Sequence, residues 1–267
     1  MRVARSIFFQ LYFFILTIIM GLGALPLRLL KRRDCALTYA RLWSRLTLLG
    51  LSKICGIEIV IIGRENIPNT PCLIASQHQS FFDGFVWMNL VERPAYIIKK
   101  ELTRIPLVGP MLILSGMIPV ERSAGSKALR CLIRDTQDRF DDRRQVIIFP
   151  QGTRVKPGER VPLQPGIMAL AKQANAPVVP VATNSGLFWP REGWTKFPGA
   201  LKIVIGPALA MDSSRGNLIA MIDASWQALE KSGGLYNHVD NSVDVTEENI
   251  VPTISQGNKG AALDAPG

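Results

Sequence analysis

The sequence predicts an α/β fold, with a single mixed-sheet domain flanked by helices and an N-terminal membrane-associated helical segment ahead of it. Three observations predict it. From Gly56 onward, short β-rich runs alternate with helical patterns, the order that lays helices on a sheet. Most of those runs are apolar without strict alternation, as strands covered on both faces require. Ahead of them lies an uncharged run, Ile7 to Leu27, long enough to cross a hydrocarbon core as a helix.

That run, IFFQLYFFILTIIMGLGALPL, is the first element in chain order. Arg2 and Arg5 precede it, and Arg28, Lys31, Arg32 and Arg33 follow. The heavier basic cluster on the C-terminal side predicts that the rest of the chain is cytoplasmic. Gly21, Gly23 and Pro26 offer an alternative, a broken helix that half-inserts. A cleaved signal peptide is another, because Gly21-Leu22-Gly23 has a small-x-small form. The run exceeds an ordinary h-region and a basic block follows it directly, which weighs against cleavage. Cys35 to Cys55 predicts a second helix, with Leu42, Leu46 and Leu49 at helical spacing and Arg41 and Arg45 on one face. It suits a lipid interface as a basic amphipathic helix, or equally the surface of the domain with its leucines packed inward.

Strands are expected at Glu58–Ile62, Cys72–Ser76, Ala95–Ile98, Met117–Val120, Gln145–Phe149, Val178–Ala182 and Leu201–Ile205. Helices are expected at Phe82–Val91, Pro106–Ser115, Gly125–Phe140, Gly166–Gln173 and Arg215–Lys231. The chain therefore divides into membrane-anchoring helices at 1–55, the α/β domain at 56–231 and a polar, acidic, disordered tail at 232–267. His238 lies in that tail and is assigned no chemistry.

The formal net charge of +10 is unevenly spread. Residues 1–53 carry nine Lys/Arg and one acid, residues 54–230 twenty and fifteen, and residues 231–267 two and five. A basic end joined to an apolar run points to anionic lipid. It does not point to nucleic acid, for which zinc spacing and aromatic RNA-binding signatures are missing. The four cysteines lie far apart with no CxxC pair, which predicts reduced thiols in a cytosolic compartment and a core role for Cys72.

Chemistry enters at Ser76–Phe85, SQHQSFFDGF, which holds one of only two histidines. Positions five apart on a straight helix differ by about 140°, so His78 and Asp83 meet only if His78 precedes the helix and Asp83 lies in its first turn. Ser80-Phe81-Phe82-Asp83 has the S-x-x-D spacing that starts a helix, here at Ser80. His78 then sits at the C-terminal end of a strand, where open α/β sheets place their ligands. A histidine there, with a carboxylate on its far nitrogen, serves as a general base, because the acid fixes the tautomer and stabilises the imidazolium. The competing reading is structural, with Asp83 a helix cap and His78 a turn residue. No G-x-S-x-G elbow surrounds Ser80, Cys72 and Cys131 have no evident pairing, and no cluster supports a metal. Direct activation of a substrate hydroxyl is favoured over a covalent intermediate.

Two further stretches end β-like runs in arginine, Gly116-Met-Ile-Pro-Val-Glu-Arg122 and Phe149-Pro-Gln-Gly-Thr-Arg154. Arginine grips phosphate in a bidentate fork. Gly152 lets backbone N–H groups approach an anion, and Thr153 donates from its hydroxyl. Taken singly, each stretch is equally a surface arginine beside a turn.

HQSFFD, GMIPVER, FPQGTR and VVPVA, in this order and spacing, resemble the four blocks of the glycerolipid acyltransferase family. Within it, the match is to the bacterial 1-acyl-sn-glycerol-3-phosphate acyltransferases. The resemblance covers about residues 30–230 and includes IIKKEL, SKALR and NSGLFWPRE. It implies a glycerol-3-phosphate acyltransferase-like domain with His78 and Asp83 as the catalytic pair. It implies that Arg122, Gly152, Thr153 and Arg154 bind the acceptor's phosphate, with Lys99 as a further candidate, and that Pro180 lies in the acyl-donor or acyl-chain region. Two positions depart from the family pattern, since Gln151 stands where a glutamate is usual and Gln164 where a lysine is usual. The expectation is that these two face each other, an ion pair turned into an amide pair.

The implied reaction moves a fatty acyl chain from acyl-CoA or acyl carrier protein to the 2-hydroxyl of lysophosphatidic acid, giving phosphatidic acid. The implied setting is the cytoplasmic face of a bacterial inner membrane. The implied partners are the phospholipid bilayer, the lysolipid and the acyl donor, with no cofactor, metal or nucleic acid. The alternatives are another lysolipid acceptor, such as a lyso-ornithine lipid, and a non-catalytic lipid-binding relative, suggested by Gln151.

Overall fold

A computed structural model of the chain describes residues 1–121, 125–209 and 218–236. Three helices come first: α1 (Arg2–Gly23), α2 (Leu25–Leu29) and α3 (Arg33–Cys55). The apolar run is helical but interrupted at Ala24, with Pro26 in the first turn of α2, where a missing N–H removes no helical bond. Helix α3 stops at Gly56, whose φ of +69° favours glycine.

The domain then alternates as the sequence predicts: β1 (Ile57–Ile62), β2 (Leu73–Ser76), α4 (Asp83–Leu90), β3 (Pro94–Lys99), α5 (Gly109–Leu114), β4 (Ile118–Val120), α6 (Gly125–Asp141), β5 (Gln145–Ile148), α7 (Gly166–Ala174), β6 (Val178–Thr183), α8 (Ser185–Phe188), β7 (Gly199–Ile205) and α9 (Leu218–Ser232). The strands form one seven-stranded sheet in the order β1-β7-β6-β2-β5-β3-β4. Neighbours are parallel except β6 and β7, so five strands share one direction and β7 and β1 oppose them. This is the expected mixed sheet. Of the expected tail at 232–267, residues 232–236 are described, with Ser232 ending α9 and Leu235 buried at 2% exposure; the rest of it, with His238, and the expected helix start at Arg215 lie outside the described residues.

Successive strand residues face opposite sides, and here the two sides are two cores. Cys72, just ahead of β2, and Ile74 of β2 share one core with Phe9, Leu51, Phe85 and Trp87 from α1, α3 and α4. Leu73 and Ala75 share the other with Leu132, Ile167, Leu170 and Trp226 from α6, α7 and α9. Each fully buried side chain of this size contributes about 1.5–3 kcal/mol.

Helix α1 lies along the domain. Near its start, Ser6 Oγ accepts the Lys196 N–H at 2.8 Å, and buried Phe9 meets Trp189 edge-on with centroids 5.4 Å apart. In its middle, Tyr12 donates to the Leu46 carbonyl of α3 at 2.8 Å, and its ring lies where a Cβ on Gly50 would be 2.2 Å away. Near its end, Gly21 packs so closely on Leu107 that a Cβ would sit 2.6 Å from it. The opposite face is apolar and exposed, through Ile7, Phe8, Leu11, Phe14, Ile18 and Ile19.

Candidate active site

Strand β2 ends at Ser76, but Gln77 N–H still bonds the Val181 carbonyl of β6 at 2.9 Å, so His78 leaves the sheet at a fixed height. The turn Ser80–Phe82 follows, and α4 begins at Asp83, one residue after the start of the expected helix Phe82–Val91 and three after the cap signal at Ser80. Ser80 Oγ accepts the Phe82 N–H at 3.2 Å. Asp83 Oδ2 reaches back to the N–H groups of Gln79 at 2.8 Å and Ser80 at 2.9 Å. The same oxygen lies 3.0 Å from His78 Nδ1. The Asp83 side chain is 3% exposed and that of His78 23%. Three donors on one oxygen make the buried carboxylate tolerable. With the Nδ1 hydrogen on Asp83, Nε2 is left as the proton acceptor.

The loop after β5 wraps the same histidine. Phe149 stacks on the imidazole with centroids 4.2 Å apart and planes at 22°. Gln151 Oε1 accepts the His78 N–H at 2.7 Å, and Val155 N–H donates to the His78 carbonyl at 2.8 Å. Gly152, at φ +74°, sits in a turn closed by its N–H on the Phe149 carbonyl at 2.9 Å. Thr153 is exposed and Arg154 half-buried. The Arg154 carbonyl accepts from Arg191 Nη1 at 2.8 Å, and among the described residues no carboxylate pairs with its guanidinium. Because Val155 bonds His78 directly, Arg154 is carried to the histidine's side.

The expected amide pair does not form. Gln151 is buried against the His78 backbone, whereas Gln164 is exposed and holds the loop through its own backbone N–H on the Pro150 carbonyl, at 2.7 Å. Among the described residues no hydrogen bond joins the two side chains.

Lys99 ends β3 and is exposed. Arg122 lies outside the described residues. Strand β4 stops two positions before it, three strand spacings from β2, a lateral distance of about 14 Å. Pro180 is buried in β6 opposite Ala75, its ring beside Gly206 and Leu229. Burial pushes the Cys72 thiol up to about 12, so it offers no thiolate nucleophile near neutrality.

Reading the sequence missed four neighbours of His78. Phe149 supplies the stacking face. Phe81, on the turn itself, packs its ring on Phe13 of α1 at 6.1 Å, Phe85 at 5.3 Å and Trp189 at 5.7 Å. Gln77 and Gln79 flank His78 and are buried at 2% and 3% exposure. The signal for the glutamines was present, since two amides bracketing a lone histidine at a strand end need partners.

Comparison with known proteins adds what this geometry is similar to. A family model described as acyltransferase matches residues 58–184. A 1-acyl-sn-glycerol-3-phosphate acyltransferase from Pseudomonas aeruginosa is 35% identical over 186 residues, covering 70% of this chain and 72% of that one. The chloroplast 1-acyl-sn-glycerol-3-phosphate acyltransferase BAT2 of Brassica napus is 31% identical over 144 residues, 53% of this chain but only 40% of its own. Among solved structures, the 1-acyl-sn-glycerophosphate acyltransferase PlsC of Thermotoga maritima superposes with a TM-score of 0.69 at 23% identity, covering 86% of this chain and 98% of that one. That likeness shows the fold.

Proposed function

The chain belongs to the acyltransferase family of the bacterial 1-acyl-sn-glycerol-3-phosphate acyltransferases, and on that premise we propose that it transfers a fatty acyl chain from a thioester donor, acyl-CoA or acyl carrier protein, to the 2-hydroxyl of lysophosphatidic acid. The observation that carries this reading is the Asp83 carboxylate 3.0 Å from His78 Nδ1. His78 Nε2 takes the hydroxyl proton. The freed oxygen attacks the thioester carbonyl, the carbon–sulfur bond breaks, and the sulfur leaves with the proton returned by the imidazolium. Asp83 holds the ring and stabilises its charged form.

The acceptor's phosphate is assigned to Arg154, with Gly152 and Thr153 beside it and with Lys99, at the end of β3, and Arg122 as further candidates. Fixing the phosphate fixes the distance from hydroxyl to base, and such positioning lowers a barrier without new chemistry. Pro180 acts on the acyl side only through packing. Gln151 keeps the acceptor that His78 N–H needs, so it gives no motive for a non-catalytic relative.

The exposed apolar face of α1 and the basic residues Arg28, Lys31, Arg32 and Arg33 support docking to an anionic bilayer, taken here as the cytoplasmic face of a bacterial inner membrane. By length and composition α1 is able to cross a membrane. Contacts with the domain at both its ends support a helix lying in the interface instead.

The test is purified protein with labelled acyl-CoA and a panel of lysolipids. Lysophosphatidate is expected to be the best acceptor. His78→Ala is expected to abolish transfer in a protein whose circular dichroism is unchanged, and Arg122→Ala chiefly to raise acceptor KM. Near-normal turnover from His78→Ala defeats the assignment of the base, and preference for a lysolipid without phosphate defeats that of the acceptor.

A further inference from the structure

The side chains on either side of His78 are held by the C-terminal part of the chain. Gln77 Oε1 accepts the Thr183 N–H at 3.1 Å, and its Nε2 donates to Glu230 Oε1 of α9 at 2.6 Å. Glu230 Oε2 in turn pairs with Arg160, from the loop that also carries Gly152–Arg154. Gln79 Oε1 accepts the Gly186 N–H at 3.2 Å, and its Nε2 donates to Tyr236 Oη at 2.7 Å. Tyr236 Oη also faces the Thr183 carbonyl at 3.4 Å. Burial raises the Tyr236 phenol above its ordinary value, which keeps the hydroxyl protonated for that second bond.

This layout follows from the two-residue period of β2. Leu73 and Ala75 face the α9 side, and Gln77, whose N–H still pairs with β6, continues that side to Glu230, while His78 stacks on Phe149, which packs on the core of Cys72 and Ile74. Gln79 then has two roles in one residue, because its N–H bonds Asp83 Oδ2 and its side chain is tied to Tyr236 and Gly186. A shift of Gln79 moves the carboxylate that orients the imidazole.

We infer that Glu230 and Tyr236 are positioning residues for the transfer, acting through Gln77 and Gln79 as a two-armed clamp behind His78. Both lie beyond residue 184, outside the stretch that matches the family model. The inference rests on His78 being the base. The clamp makes α9 part of the catalytic apparatus, and it joins the histidine's turn to the loop of Gly152–Arg154 through Arg160.

The test uses the full chain in anionic vesicles. Tyr236→Phe removes one oxygen and keeps the ring. Glu230→Gln leaves one acceptor but sets an amide against either Gln77 or Arg160. Each is expected to lower kcat per folded molecule about tenfold, the factor that one misplaced hydrogen bond carries, with acceptor KM unchanged. Gln79→Leu is expected to lose as much, and adding Tyr236→Phe to it to lose nothing more, because the tyrosine acts through the glutamine. The imidazole nitrogen resonances of His78, assigned by difference against His78→Ala, are expected to shift in Tyr236→Phe. That readout needs no substrate, and a purely stabilising role would not move it.

Wild-type kcat and unmoved resonances in Tyr236→Phe overturn the clamp, as do additive losses in the double variant. If Glu230→Gln fails to fold, Tyr236→Phe still decides. An inactive His78→Ala beside a fully active Tyr236→Phe overturns the clamp alone, whereas an active His78→Ala overturns the base.

Discussion

Gln151 shows what one side chain does for the turn that carries His78. Its Oε1 is the acceptor for the His78 N–H at 2.7 Å, deep beneath the loop. Gln151→Leu strands that N–H and is expected to cost about 1–3 kcal/mol. Gln151→Glu keeps an acceptor oxygen and is expected to cost less, and thermal denaturation of the two variants checks the order. The cysteines give a second residue-scale outcome. Cys35 and Cys131 are exposed, Cys55 and Cys72 buried, so a thiol reagent at pH 8 is expected to label two sites in the folded protein and four in denaturant. With the Cys72 thiol raised from 9.0 to about 12, the unfolded chain loses its proton first as pH rises. Stability present below pH 9 is then lost toward pH 12, and Cys72→Ala is expected to flatten that decline in melting temperature. At this scale His78 and Asp83 were legible because five residues and a cap signal tie them together. Glu230 and Tyr236 were not, because they bond residues about 150 positions away and no local pattern announces them.

Among elements, all seven strands were readable, since β-branched apolar runs between turn residues have few other uses. Helix α8 was missed because four residues carry no periodicity. The cap signal at Ser80 lies three residues ahead of α4 because Asp83 bonds backward to the turn while the helix proper begins at Asp83. Helix α1 reads as uniformly apolar, and composition does not reveal that it has two faces. Phe9 faces the core with no exposure, and Phe8 beside it is 62% exposed. Phe9→Ala is therefore expected to destabilise the fold by about 3–5 kcal/mol. Phe8→Ser is expected to leave the melting temperature unchanged and weaken sedimentation with anionic vesicles. Equal effects on folding from both variants would mean that α1 has no preferred face.

For the molecule as a whole, the three layers put the N-terminal helices over the same side of the sheet from which His78 projects. Docking through the outer face of α1, as proposed, keeps the helix fastened near Ser6 and near Gly21 and so leaves both its ends on one side of the bilayer. Single cysteines at Arg2 and Lys31, placed in a chain whose own cysteines are removed and bound outside sealed vesicles, are both expected to react with an impermeant maleimide. Protection of the Arg2 position alone would mean that α1 crosses.

The aromatic seat of Phe81 on Phe13 has a practical consequence. A version trimmed of its first thirty residues to make it easier to handle in water would lose the floor under the turn that carries the histidine, so poor performance of such a preparation would say nothing about the chemistry. Detergent or lipid belongs in the tube from the first purification step, to cover the apolar outer face of α1.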